Sequence, residues 1–221
     1  MAKLSLADER TCSYEEWGDP SGLPLFWLHG TPGGRLTRYP DATLWARLGL
    51  RVVTFDRPGY GNSSPLPGRV VAHVAADVAA LADHLGLDSF GVLGSSGGGP
   101  HALAVAALLG ERVRACVPVS SAAPVAPDDV ASMVAVNSAA FKIVAERGRA
   151  GFGDYLAGLR AELLADLPGN LNAMIADATG PDREWLSRSD VQRLFVESWT
   201  DALRPGIDGW LDDEMSLLHE P

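Results

Sequence analysis

Two cysteines in 221 residues, Cys12 and Cys116, are too few and too far apart to build a disulfide framework or a CxxC metal site. They are expected as reduced, partly buried thiols. Long apolar runs are missing too. No stretch reaches the ~18 uninterrupted apolar residues of a membrane span, and the opening MAKLSLADER lacks the apolar segment of a signal peptide. A cytoplasmic protein with no membrane partner is the expectation. Basic residues are scarce: 18 Lys and Arg against 28 Asp and Glu leave a formal charge of -10. Such a surface repels phosphate backbones, so nucleic acid is not an expected partner. With neither a dinucleotide fingerprint nor metal-ligand spacing, no cofactor and no metal are expected.

What is present is an ordinary folding composition, 47% apolar and 21% charged residues. From residue 24 to 120 short β-rich apolar runs alternate with longer helical ones, the pattern of βαβ units in a parallel sheet. The strands fall at 24–29, 51–55, 90–94 and 113–119, and their nearly continuous apolarity marks strands buried on both faces. Between two of them Val70, Val71, Val74, Val78, Leu81 and Leu85 recur at helical spacing, with His73, Asp77 and His84 on the opposite, polar side. Residues 4–17, followed by the turn-rich GDPSG, read as an antiparallel pair leading into the sheet. After Ser120 only helical spacing remains, interrupted by Gly and Pro at 148–153, 168–169, 180–181 and 205–206. The expected organisation is an α/β core over 1–126 and a helical cap or insertion over 127–221.

Chemistry concentrates in Gly94-Ser95-Ser96-Gly97-Gly98, a GxSxG run that follows an apolar strand and precedes an Ala/Leu-rich helix. The strand-to-helix turn is sharp, so the residues flanking Ser96 must leave room for close backbone approach, which glycine does. A helix start beside the serine also offers free N–H groups to a developing oxyanion. Two companions precede it: His29-Gly30-Thr31-Pro32-Gly33-Gly34 after the strand at 24–28, and Phe55-Asp56-Arg57-Pro58-Gly59-Tyr60-Gly61-Asn62-Ser63 closing the next.

With these three elements in this order, residues 4–125 resemble the α/β-hydrolase superfamily. HGTPGG looks like its HGxP oxyanion segment, DRPGYGNS like its DxRGxGxS turn, and GSSGGGPHALA like its nucleophile elbow and helix. HGTPGG is also similar to the HGGPGG of proline iminopeptidases and related esterases, although Gly97 stands where their elbow commonly has Trp. The resemblance implies Ser96 as nucleophile and the backbone N–H groups of Thr31 and Gly97 as the oxyanion hole. His29, Gly30, Gly94 and Gly98 would support the motif. A serine at this position disfavours the related dehalogenases and epoxide hydrolases, which use aspartate there.

The family's acid and histidine follow two later strands, and no strand-like run follows residue 120. His101 lies inside the elbow helix and is expected to point away from the top of the sheet. Asp212, Asp213, Glu214 and His219 occur in the right order but read as a solvated acidic chain end. Asp56 is expected to hold backbone, and Asp128 and Asp129 to cap a helix. Two more strands would need about 60 residues at ~30 per βαβ unit, so the chain reads as lacking the C-terminal part of the fold. The expected activity is hydrolysis of a small ester or amide through an acyl-enzyme, impaired for want of acid and base. The alternative is a non-catalytic binding or assembly protein that keeps the pocket. Strand 113–120 would be left as an exposed edge, open to self-association or a complementing chain.

Overall fold

A computed structural model describes residues 1–41, 43–124, 129–130, 133 and 135–219. Six strands form one sheet in the order β1-β2-β4-β3-β5-β6. β1 (Ala2–Ser5) and β2 (Thr11–Gly18) are the antiparallel pair expected over 4–17, and β2 also runs antiparallel to β4 (Leu50–Phe55). β3 (Leu23–Leu28), β4, β5 (Phe90–Ser95) and β6 (Val113–Val119) are mutually parallel. This is the mostly parallel sheet that the apolar runs require.

The topology places the site. After β3 the chain passes α1 (Thr43–Arg47) and pairs β4 on one side of β3. It then crosses back through α2 (Val74–His84) to lay β5 on the other side. At such a reversal the loops leaving two neighbouring strands diverge and open a crevice at their carboxyl ends. Here those loops begin at His29, after β3, and at Ser96, after β5. α3 (Gly98–Leu109) starts at the elbow and packs back on the sheet.

The core follows from the pattern: Phe26, Leu28, Val53, Val78, Leu81, Val92, Ala102 and Val105 are fully buried between sheet and helices. Burial of a side chain of this size contributes about 1.5–3 kcal/mol. α2 differs from the expectation at one position. Asp77 is buried rather than solvated, because Arg10 reaches over from the β1–β2 turn and its Nη2 donates to Asp77 Oδ1 at 2.7 Å. Helical spacing registers side-chain polarity, not the arrival of a distant guanidinium. Cys12 is buried, Cys116 half-buried, and both are free thiols. β6 is the sheet edge, with Val117 and Val119 exposed at 48% and 44%.

Beyond β6 the described elements are helical. α4 (Ala135–Ala165) is broken at Gly148, whose φ of 61° and ψ of -169° no helix contains. α5 (Leu167–Asp177) is capped by the Asp166 side chain, which accepts from the Gly169 N–H at 2.9 Å. α6 (Gly180–Leu186), α7 (Ser189–Ala202) and α8 (Asp208–His219) follow. The expected breaks at 168–169, 180–181 and 205–206 thus fall at helix starts or in a connection. These helices build a second apolar cluster, including Phe152, Leu156, Leu203, Trp210 and Leu211, which takes in Tyr60 from the core. Arg35 links α7 to the loops above the sheet: its Nη1 donates to Asp56 Oδ2 at 2.8 Å and to Asp201 Oδ2 at 2.5 Å.

The glycines separate into two kinds. A Cβ on Gly98 would collide with the backbone carbonyls of Leu28 and His29, whereas one on Gly158, within α4, meets nothing within 4 Å. Gly98→Ala is expected to cost more than ~2 kcal/mol, because the carbonyls of β3 have nowhere to move. Gly158→Ala should be neutral or stabilise by ~0.5–1 kcal/mol. Urea denaturation of the two variants beside the parent chain tests both.

Candidate active site

The turn from β5 into α3 bends so sharply that Ser96 takes φ 53°, in the left-handed region that a non-glycine residue rarely occupies. Backbone hydrogen bonds hold it there. Its N–H donates to Val119 O at 3.0 Å, and its carbonyl accepts from the N–H groups of Gly99 and Ala122 at 2.9 and 3.2 Å. The side chain is exposed at the floor of the crevice. Strain maintained by surrounding bonds is a recurrent property of functional positions.

Gly30 and Gly97 flank the serine closely. A Cβ on Gly30 would lie 3.4 Å from Ser96 Cβ, and one on Gly97 would lie 2.9 Å from Thr31 Cβ. The two segments named from the sequence as oxyanion donors therefore meet beside Ser96. Gly94 and Gly98 are packed against each other beneath it, since a Cβ on Gly94 would overlap the Gly98 backbone.

His29 is fully buried and holds the loop. Its Nδ1 faces Gly30 O at 2.7 Å and its Nε2 accepts from the Arg57 N–H at 3.2 Å, which fixes the neutral tautomer with the proton on Nδ1. Burial and the Arg57 charge hold its pKa well below the usual histidine range. His101 is also fully buried, but the elbow helix does not carry it away from the site. Its Nδ1 lies 2.8 Å from Gly97 O, so the ring braces the residue that follows Ser96. Burial, with the Arg57 charge, depresses its pKa to about 3.

The acidic segment near residue 213 corrects its reading as a solvated chain end. Asp212 and Asp213 are 2% and 0% exposed. Asp213 Oδ2 accepts from Arg57 Nη2 at 2.5 Å, Thr31 Oγ1 at 2.9 Å and Tyr60 OH at 3.0 Å, while Oδ1 pairs with Arg69 Nη1 at 2.6 Å. His101 Nε2 stands 3.5 Å from Oδ1, too long for a hydrogen bond, and makes none. Against the cost of burial, Arg57 and Arg69 hold the Asp213 carboxyl well below the usual range. Arg57 continues inward to the carbonyls of His29 and Gly30. One carboxylate from α8 thus fastens the loop after β3 and the loop after β4 together. No sequence signal marked Asp213, since its partners are more than 100 positions away.

Two cavities of about 390 and 400 Å³ meet at Ser96 and Thr31. The first includes Gly97, Ser120, Asn137, Phe141 and Glu214. The second includes Trp27, Tyr39, Trp185, Phe195 and Trp199. Burial raises the Glu214 carboxyl to about 7, although Trp210 Nε1 donates to it at 3.2 Å. Each described histidine ring is bonded away from Ser96: His73 to the Val70 N–H, His84 to Tyr14 OH, and His29 and His101 as above. The His219 side chain and Asp128 lie outside the described residues. Asp56 holds backbone as expected, accepting from the N–H groups of Arg35 and Asn62 at 2.7 and 3.0 Å. Among the described residues no cluster of ligand side chains could hold a metal, and no helix is long and apolar enough to cross a membrane.

Residues 24–211 match the family model described as alpha/beta hydrolase fold. A proline iminopeptidase of Xanthomonas citri is 37% identical over 114 residues, 48% of this chain and 35% of that protein. A non-heme chloroperoxidase of Streptomyces lividans is 35% identical over 127 residues, 57% of this chain and 46% of its own length. The chain thus spans between a third and a half of these relatives. A thermophilic esterase from Thermogutta terrifontis superposes with a TM-score of 0.65 at 21% identity, covering 100% of this chain and 72% of the esterase, a likeness of fold.

Two outcomes follow from the charges. Asp213→Ala leaves Arg57 and Arg69 buried without their counter-charge and should cost about 3–5 kcal/mol in urea denaturation. Glu214 ionises near 4.5 when unfolded and near 7 when folded, so its contribution is complete below pH 4.5 and is lost as pH rises through 7. Stability measured from pH 4.5 to 8 should decline more steeply in the parent than in Glu214→Gln.

Proposed function

Because the chain belongs to the alpha/beta hydrolase fold family, we propose that it carries the nucleophilic half of a serine hydrolase acting on a small ester or amide. The observation that carries this reading is Ser96, exposed in a left-handed turn at the junction of two cavities. In the proposed reaction Ser96 Oγ attacks the substrate carbonyl and its proton passes to a base. The N–H groups of Thr31 and Gly97 receive the oxyanion, which collapses to an acyl-enzyme as the alcohol or amine departs, and water then releases the acid. The esterase and iminopeptidase relatives support this substrate class.

The base is the part for which the described histidines offer no group, as their rings bond elsewhere. Loss of the base in serine hydrolases lowers turnover by about 10⁶ and leaves about 10³–10⁴ over water from the oxyanion hole and binding. The chain by itself is therefore proposed to be a poor catalyst. The same observation favours a second reading, a binding protein that retains the cavities without turnover.

A fluorophosphonate probe distinguishes these. The expected result is slow, stoichiometric phosphonylation of Ser96 over hours, absent in Ser96→Ala, together with p-nitrophenyl acetate hydrolysis far below that of a complete triad. Folded protein that takes up no probe would remove Ser96 as nucleophile and leave the binding reading. Brisk turnover abolished in His219→Ala would instead assign the base to His219.

A further inference from the structure

The two cavities that share Ser96 differ in chemistry. The walls of the second are aromatic: Phe195 stands edge-on to Trp185 and to Trp199, with centroids 6.0 and 5.6 Å apart, and Trp27 and Tyr39 line it as well. Rings that present faces and edges to one void favour a flat π-system.

The same cavity contains a cation. Arg38 is half-buried, its guanidinium 4.0 Å over the Trp17 ring, and among the described residues its hydrogen bond runs 3.5 Å to Leu36 O. Stacking occupies the face of a guanidinium and leaves its edge donors free. Among the described residues no carboxylate is paired with it. The charges of Glu197 and Glu15 reach it without forming an ion pair, Glu15 pairing with the amino terminus at 3.1 Å and with Arg35 at 3.7 Å, and Glu197 with Arg193 at 4.0 Å. In a chain with an excess of ten negative charges, a half-buried arginine on the wall of an aromatic cavity, in no ion pair among the described residues, offers an anion a point of attraction. The first cavity has the opposite character, because an anion there would face Glu214.

Resting on the reading of Ser96 as nucleophile, we propose that the substrate is an ester with an aromatic body and a second, ionised carboxylate at its far end. The ring occupies the aromatic cavity, the free carboxylate meets Arg38, and the scissile carbonyl reaches Ser96. The part of the ester across the scissile bond extends toward Glu214.

Binding tests this apart from catalysis. Ser96→Ala protein is titrated calorimetrically with mono-methyl terephthalate, dimethyl terephthalate and mono-methyl adipate, which separate the contributions of ring and charge. The monoester of the aromatic diacid should bind at least ~10-fold tighter than either comparison ligand. Its advantage over the diester should vanish in Arg38→Gln, and its advantage over the adipate in Trp185→Leu, each variant shown to be folded by circular dichroism. Equal affinity for all three ligands, or no binding of the aromatic monoester, overturns the proposal. Neither result touches the assignment of Ser96, which stands or falls on phosphonylation of the parent chain.

Discussion

The carboxylate of Asp213 is the constraint on which the upper surface of the sheet depends. It is wholly inaccessible, and such a charge is tolerated only where partners replace its hydration. Four do so, Arg57, Arg69, Thr31 and Tyr60, from the loops above the sheet. Because Arg57 also binds the carbonyls of His29 and Gly30, the geometry of the segment beside Ser96 is set by α8, not by its own sequence alone. The Arg35 link from Asp56 to Asp201 does the same for α7. The helical region is in this sense part of the site and not merely a cover over it.

Two kinds of signal differ in how far the sequence reveals them. The strands after β2, the elbow at Ser96 and the loop at His29 are local: continuous Val, Leu and Phe, then glycine where backbones touch. These stand within a residue or two of their expected places. Asp77 and Asp213 escape the sequence pattern for one reason. Each is acidic, so periodicity assigns it to water, yet each is claimed by an arginine far away in the chain. Glu214 and the aromatic cavity leave no local signal either, since Trp27, Tyr39, Trp185 and Trp199 converge only after folding.

His101 shows an intermediate case. Helix geometry identified it as a structural residue, and its buried, neutral ring agrees. Its direction was not apparent, because an i to i+4 bond back to Gly97 turns the ring toward the start of its own helix. The brace to the elbow is thus local in sequence but recognisable only once the ring rotamer is known.

The ion pair between Arg57 and Asp213 closes a loop of 156 residues. Closing a chain of that length costs entropy before any contact returns it, so such contacts form after local helices and neighbouring strands. A polypeptide leaving the ribosome has β3, β4 and the elbow available long before α8 emerges. Until then Arg57 and Arg69 lack their counter-ion, and the loop beside Ser96 lacks one of its anchors. The order of synthesis therefore gives the crevice beside Ser96 its shape late, with its surroundings completed only when α8 docks.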